Sequence, residues 1–185
     1  MPATKIMVIR HAEKPSHDGS ITGVAENGGQ NAEELIVRGW QRAGALIRFF
    51  VPRNDRFADP RLATPDAIFA SQVASHSKSL RPQHTVQAVA NQLKKQLNTS
   101  HPKGDELRLV SDMIGSNGFV LVAWEHEAIP RIANAIVGDE TTCPQDWPDS
   151  RFDLVWVFDR PTGIGKWTFA QIPQLLLDDD QPNVI

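Results

Sequence analysis

Ile6-Met7-Val8-Ile9-Arg10-His11 is the stretch whose reading decides the fold. Four apolar residues in a row, three of them β-branched, with no polar alternation, describe a strand covered on both faces. The run ends abruptly on a guanidinium and an imidazole. In open α/β sheets ligands bind beyond the carboxyl ends of the strands, so Arg10 and His11 fall where a binding rim is expected.

Outward from this strand the chain alternates. Residues 12–33 are rich in Gly, Asn, Ser and Glu and read as a long polar loop. Ile36, Trp40, Ala43, Ile47 and Phe50 recur at helical spacing, and Pro52 stops them. Residues 52–65 are turn-rich, and 67–70 form a second short apolar strand. A polar segment leads to Leu80-Arg81-Pro82, after which Val86, Val89, Ala90, Leu93 and Leu97 mark another helical face. Ser79 is expected as its N-cap, and Pro82 suits a first turn. Residues 119–124 read as a third buried strand, followed at once by Glu125-His126-Glu127. Ile129, Ile132, Ala133, Ile136 and Val137 then follow a helical period. Residues 152–158 and 167–172 are strand-like, with Pro161, Gly163 and Gly165 between them, and predict a hairpin. The expected fold is α/β: a three-layer α/β/α sandwich with a mostly parallel mixed sheet, one domain over residues 1–185.

Bulk properties narrow the function. A net charge of -3 supplies no global field for nucleic acid, so an anion site must be a local cluster. No apolar run approaches the ~18 residues of a membrane span, and the N-terminal apolar stretch is too short for a signal peptide. With one cysteine, Cys143, an intramolecular disulfide is excluded, and a cytoplasmic protein is expected. Oligomeric state is not legible.

Three strand ends deliver chemistry to one rim: Arg10 and His11 after the first, Arg81 at a helix start after the second, and His126 with Glu127 after the third. Two helix N-termini are expected to face the same place and to add N–H donors. Arginine forks answer the negative oxygens of a phosphoryl group, and a neutral imidazole can attack phosphorus. A metal reading of Glu125-His126-Glu127 fails on an extended backbone, because alternate side chains point oppositely. The other histidines, His17, His76, His84 and His101, read as surface residues, and Glu13 and Lys14 are equally readable as solvated loop charges.

Several of these segments resemble, in order, the signatures of the histidine phosphatase (phosphoglycerate mutase-like) superfamily, in its short bacterial-type branch. Arg10-His11-Ala12 is similar to its Arg-His-Gly tripeptide, and residues 35–46 to its helix start. Residues 79–85, Ser-Leu-Arg-Pro-Gln-His-Thr, look like its Ser-x-x-Arg-x-x-x-Thr segment, and residues 120–129 resemble the segment with the second histidine. The resemblance runs from residue 5 to about residue 137. It implies a phosphatase acting on a phosphate monoester or related phosphoryl compound, with His11 phosphorylated in the reaction. Arg10, Arg81 and His126 would form the phosphate pocket, with no metal and no organic cofactor. A small phosphorylated molecule would be the partner, with no nucleic acid and no membrane. Ala12 stands where glycine is usual, and Pro82 where alanine is. One branch of the superfamily carries an aspartate proton donor after the second histidine. Glu127 stands there and is the expected donor, with Glu13 and Glu106 as rivals. Three other outcomes stay open: mutase-type phosphoryl transfer, dephosphorylation of protein phosphohistidine, and a non-catalytic phospholigand-binding protein.

Overall fold

A computed structural model describes residues 2–185. Strands β1 (Ala3–Arg10), β2 (Ala67–Ala70), β3 (Leu97–Asn98), β4 (Gly118–Trp124), β5 (Leu154–Asp159) and β6 (Thr168–Pro173) form one sheet in the order β3-β2-β4-β1-β5-β6. The first four strands in that order are parallel, whereas β5 and β6 are antiparallel. Helices α1 (Val37–Phe50), α2 (Arg81–Leu93), α3 (Glu106–Gly115) and α4 (Ile129–Val137) cover it.

The period of two along each strand divides the interior into two cores. Ile6 and Val8 of β1, Val120, Val122 and Trp124 of β4, and Leu154, Trp156 and Phe158 of β5 point to one side, where α3 and α4 pack. Met7, Ile9, Leu121, Ala123, Val155 and Val157 point to the other, against α1 and α2. This is the α/β/α sandwich expected. The central position of β1 explains why its sequence is apolar without alternation.

Register sets the site. Ile9 pairs with Ala123, Ala123 with Ala70, and Arg10 with Trp124. The three parallel strands therefore end within one residue of one another: His11 and Glu125 leave the sheet side by side, and Ser71 leaves it one residue earlier.

The helices differ in detail from the sequence reading. The buried face of α1 is Gly39, Arg42, Ala43, Leu46, Phe49 and Phe50: Ala43 and Phe50 of the expected series lie on it, whereas Trp40 and Ile47 stand one position off and are half-buried. Helix α2 stops at Leu93 because Lys94 takes a left-handed conformation (φ 55°), so Leu97 belongs to β3. Leu80, not Ser79, is the N-cap of α2, and the Ser79 hydroxyl makes no capping bond. His126–Ala128 is a 3₁₀ turn leading into α4, not the first turn of an α-helix. Helix α3 was not expected at all, although Glu106, Leu109, Val110 and Met113 are buried at its i, i+3, i+4, i+7 positions.

Candidate active site

His11 is the centre of the rim. Its backbone N–H donates to the Trp124 carbonyl at 2.8 Å, which prolongs the β1–β4 ladder by one residue. Its side chain is buried, and Nδ1 lies 2.7 Å from the Ala12 carbonyl. A carbonyl only accepts, so Nδ1 carries the hydrogen and Nε2 keeps its lone pair. Burial pushes the imidazole pKa down to about 3, with Arg10, Arg81 and Lys14 adding to the fall. His11 is thus a neutral ring with one free nitrogen.

The chain beyond His11 is held from two sides. The Ala12 N–H donates to the Thr85 hydroxyl at 2.8 Å, and that hydroxyl donates to the Arg81 carbonyl at 2.7 Å. One threonine on α2 therefore ties the residue after His11 to the first turn of the helix that carries Arg81. On the other side the Glu13 backbone passes against α1 at Gly39, where a Cβ would stand 2.6 Å from the Glu13 carbonyl oxygen. Only glycine allows that approach.

The three arginines near the rim divide into two kinds. Arg42 is buried and fully paired: it reaches Glu13 at 2.8 Å, Asp180 at 2.7 Å and Gln174 at 3.0 Å. Burial works against its charge, but Asp180 and Glu13 outweigh burial and raise its pKa. Arg10 is equally buried, yet burial brings its pKa down to about 10. Its Nη1 donates to the Asp149 and Arg151 carbonyls at 2.5 and 3.2 Å, and its guanidinium lies 3.8 Å over the Phe152 ring. Half-buried Arg81 is also shifted down by burial, with one bond to the Ala32 carbonyl at 2.9 Å. The Nε of Arg10, the Nε of Arg81 and the Ser79 hydroxyl are buried without a partner.

His126 completes the set. Its Nε2 is 3.3 Å from Asp149 Oδ1, and burial, then Arg10, lower its pKa. A hollow of about 270 Å³ is lined by His11, Glu33, Ser79, Arg81, Trp124 and Glu125, together with His76, Lys78 and Lys103; Arg10, His126 and Asp149 are not part of its lining.

The three carboxylates expected as proton-donor candidates lie elsewhere. Glu13 is taken up by Arg42, with Arg38 at 3.5 Å. Glu106 accepts from the Gly104 N–H at 2.8 Å and the Trp124 indole at 3.2 Å at the head of α3. Glu127 is 70% exposed and lines a different hollow, with Leu107 and Arg131. Two carboxyl groups line the His11 hollow, Glu33 and Glu125, the latter two residues before Glu127. Glu125 is ion-paired to Lys103, and burial raises its pKa. Sequence reasoning missed it because the position after the second histidine drew attention away from the position before it. Lys14, readable from the sequence as a solvated charge, has its Nζ 2.7 Å from Asp149 Oδ1. Among the described residues, no three His, Cys, Asp or Glu side chains gather closely enough to hold a metal ion. No described helix is long and apolar enough to cross a membrane.

No protein-family model matches this chain, and no curated protein matches it by sequence. Solved structures do. A phosphoserine phosphatase variant from Entamoeba histolytica, in complex with phosphoserine, is 14% identical, with a TM-score of 0.54 over 90% of this chain and 95% of that one. A protein from Agrobacterium tumefaciens assigned as the phosphohistidine phosphatase SixA is 16% identical, with a TM-score of 0.51 over 90% of this chain and 96% of that one. A mycobacterial glucosyl-3-phosphoglycerate phosphatase in complex with VO3 is 11% identical, with a TM-score of 0.50 over 91% and 97%. The chain shares the fold of these phosphatases along nearly the whole length of each.

Proposed function

We propose that the chain is a phosphatase that hydrolyses a small phosphate monoester, or a related phosphoryl compound, through a phosphohistidine on His11. The observation that carries this reading is the state of His11 among its neighbours. It is a neutral imidazole with Nε2 free, next to two arginines whose burial is only partly compensated by carboxylates. A phosphoryl group supplies the missing negative charge, and the unpartnered donors of Arg10, Arg81 and Ser79 are available for its oxygens.

In the reaction His11 Nε2 attacks phosphorus, the N–P bond forms and the bond to the leaving oxygen breaks. Arg10, Arg81 and His126 hold the equatorial oxygens. The leaving oxygen takes a proton from a carboxyl group, and Glu125 is better placed for this than Glu127. Water then attacks phosphorus, the N–P bond breaks, and inorganic phosphate leaves. Positive side chains and N–H donors handle the charge, so the chemistry requires no metal. Charged walls at His76, Lys78, Lys103 and Glu33 favour a small polar leaving group. A cytoplasmic setting, where such metabolites are abundant, belongs to the same proposal.

A quenched single-turnover experiment with a labelled phosphorylated substrate tests it. Acid-labile label should appear on the wild-type chain and be absent from His11→Ala, which should keep its far-UV circular dichroism. Activity should survive exhaustive chelation. Label on His11→Ala, or a chelated sample rescued only by a divalent ion, would overturn the reading.

A further inference from the structure

One oxygen in the site already occupies the position of an anion. Asp149 Oδ1 lies 2.8 Å from Arg10 Nη2, 2.7 Å from Lys14 Nζ and 3.3 Å from His126 Nε2. The three donors come from separate places: the end of β1, the loop after it and the turn after β4. We infer that Asp149 Oδ1 stands in the seat of a phosphoryl oxygen, and that Lys14 is a ligand of the phosphoryl group that replaces it. The inference rests on the phosphatase reading above and names a further residue of its pocket.

The geometry favours exchange. Two of the three donors, Arg10 and His126, are residues that the phosphatase reading assigns to phosphate. Lys14 meets the same oxygen atom, so whatever anion Arg10 and His126 hold there, Lys14 holds as well. The Asp149 side chain is 55% exposed, so its ion pairs are made at the edge of solvent, where each contributes little. The backbone around it is fixed independently of the carboxylate. Arg10 Nη1 donates to the Asp149 and Arg151 carbonyls, and the Trp147 indole donates to the Arg151 carbonyl at 2.8 Å. A rotation of one side chain therefore empties the seat, with no rearrangement of the loop. A phosphoryl dianion brings more negative charge than a carboxylate and can also engage the unpartnered Arg10 Nε. Asp149 thus acts as a resident stand-in: it keeps the cations compensated and gives way to an anion of higher charge. A substrate carboxylate, with no charge advantage over Asp149, would be selected against.

Calorimetric titration with inorganic phosphate, and with orthovanadate as a second probe, tests this on the whole chain. D149N keeps the size of the side chain but not its charge. It should bind both anions roughly two- to thirtyfold more tightly than wild type, the equivalent of two exposed ion pairs no longer competing. Lys14 is tested where Asp149 no longer competes: D149N/K14M should bind roughly tenfold more weakly than D149N. Urea midpoints near that of wild type establish that both variants fold. Unchanged or weaker phosphate binding by D149N would make Asp149 a positioning residue and overturn the seat. Equal affinities of D149N and D149N/K14M would remove Lys14 from the pocket. Neither measurement needs turnover. If D149N tightens phosphate binding but His11 never takes label, the enzyme reading fails and the seat stands. If His11 takes label and D149N does not tighten binding, the seat fails alone.

Discussion

Replacing Thr85 with valine separates holding the nucleophile from holding the fold. Thr85 is fully buried, and its hydroxyl is the acceptor for the Ala12 N–H at 2.8 Å. Valine keeps the shape and removes that acceptor. Ala12 is itself fully buried, so its N–H finds no water in exchange. An unsatisfied buried donor costs about 1–3 kcal/mol, and the added methyl returns at most ~0.8 kcal/mol. The Arg81 carbonyl, in the first turn of α2, keeps its place in the helical ladder. Thr85→Val should therefore lose about 1–2 kcal/mol of stability. Thr85→Ser keeps both hydrogen bonds and loses one buried methyl, about 1 kcal/mol. The two variants should be close in stability and far apart in rate. A freed Ala12 lets His11 drift, and a displacement of ~1 Å in a reacting group costs ~10²-fold. Urea midpoints should fall together, while kcat on p-nitrophenyl phosphate falls ~10²-fold for valine and less than about threefold for serine. Equal rate losses in the two variants would show that packing, not the hydrogen bond, places His11.

With its pKa near 3, His11 is neutral across the working pH range, so the acid limb of phosphoenzyme formation should follow the substrate's own second phosphate ionisation, near ~6. A limb that stays near ~6.5 whichever phosphate ester is used would return that limb to His11. The same shift has a sign for stability: between its ordinary value and about 3 the unfolded chain binds the proton and the folded chain does not, so stability falls as pH drops through that window. His11→Gln should remove that share of acid sensitivity, read from urea midpoints at pH 7 and pH 5. Glu125→Gln should slow hydrolysis of alkyl phosphates ~10²- to 10⁴-fold while sparing p-nitrophenyl phosphate, whose leaving group needs little protonation. Glu127→Gln should affect both substrates slightly and alike; the reverse pattern would assign the proton to Glu127.

The sheet was legible because burial on both faces forces an unbroken apolar run, as at residues 6–9 and 120–124. The hairpin of β5 and β6 was legible from its turn residues. Helix boundaries were less so. Lys94 ends α2 by adopting a left-handed backbone that no glycine or proline announces. Helix α3 hides its face because Glu106, at its first position, is buried through hydrogen bonds rather than by being apolar. Of the proposed site, Arg10, His11, Arg81 and His126 are nameable from their places at strand and helix ends. Glu125 and Lys14 are not, since their role depends on which way a side chain leaves a rim. Asp149 lies in a loop that no periodicity marks, and more than a hundred residues separate it from Arg10 and Lys14, whose side chains it meets.

The contrast among the arginines carries the physical argument farthest. Arg10 and Arg42 are the same residue type at nearly the same burial, yet their pKa values move in opposite directions. Arg42 is enclosed by two carboxylates and a glutamine, and it joins the loop after His11 to the C-terminal segment; its charge is spent on the fold. Arg10 is bonded mainly to carbonyl oxygens and to one exposed carboxylate, which give direction without full neutralisation. Arg81 has a single carbonyl partner. Burying a cation so incompletely compensated destabilises the folded chain, and such a cost persists where a ligand or a transition state repays it. A stable protein could have closed these arginines as it closed Arg42. That it leaves two of them open, beside a neutral histidine, is the contrast with an ordinary internal salt-bridge network on which the proposal of a transient anion rests.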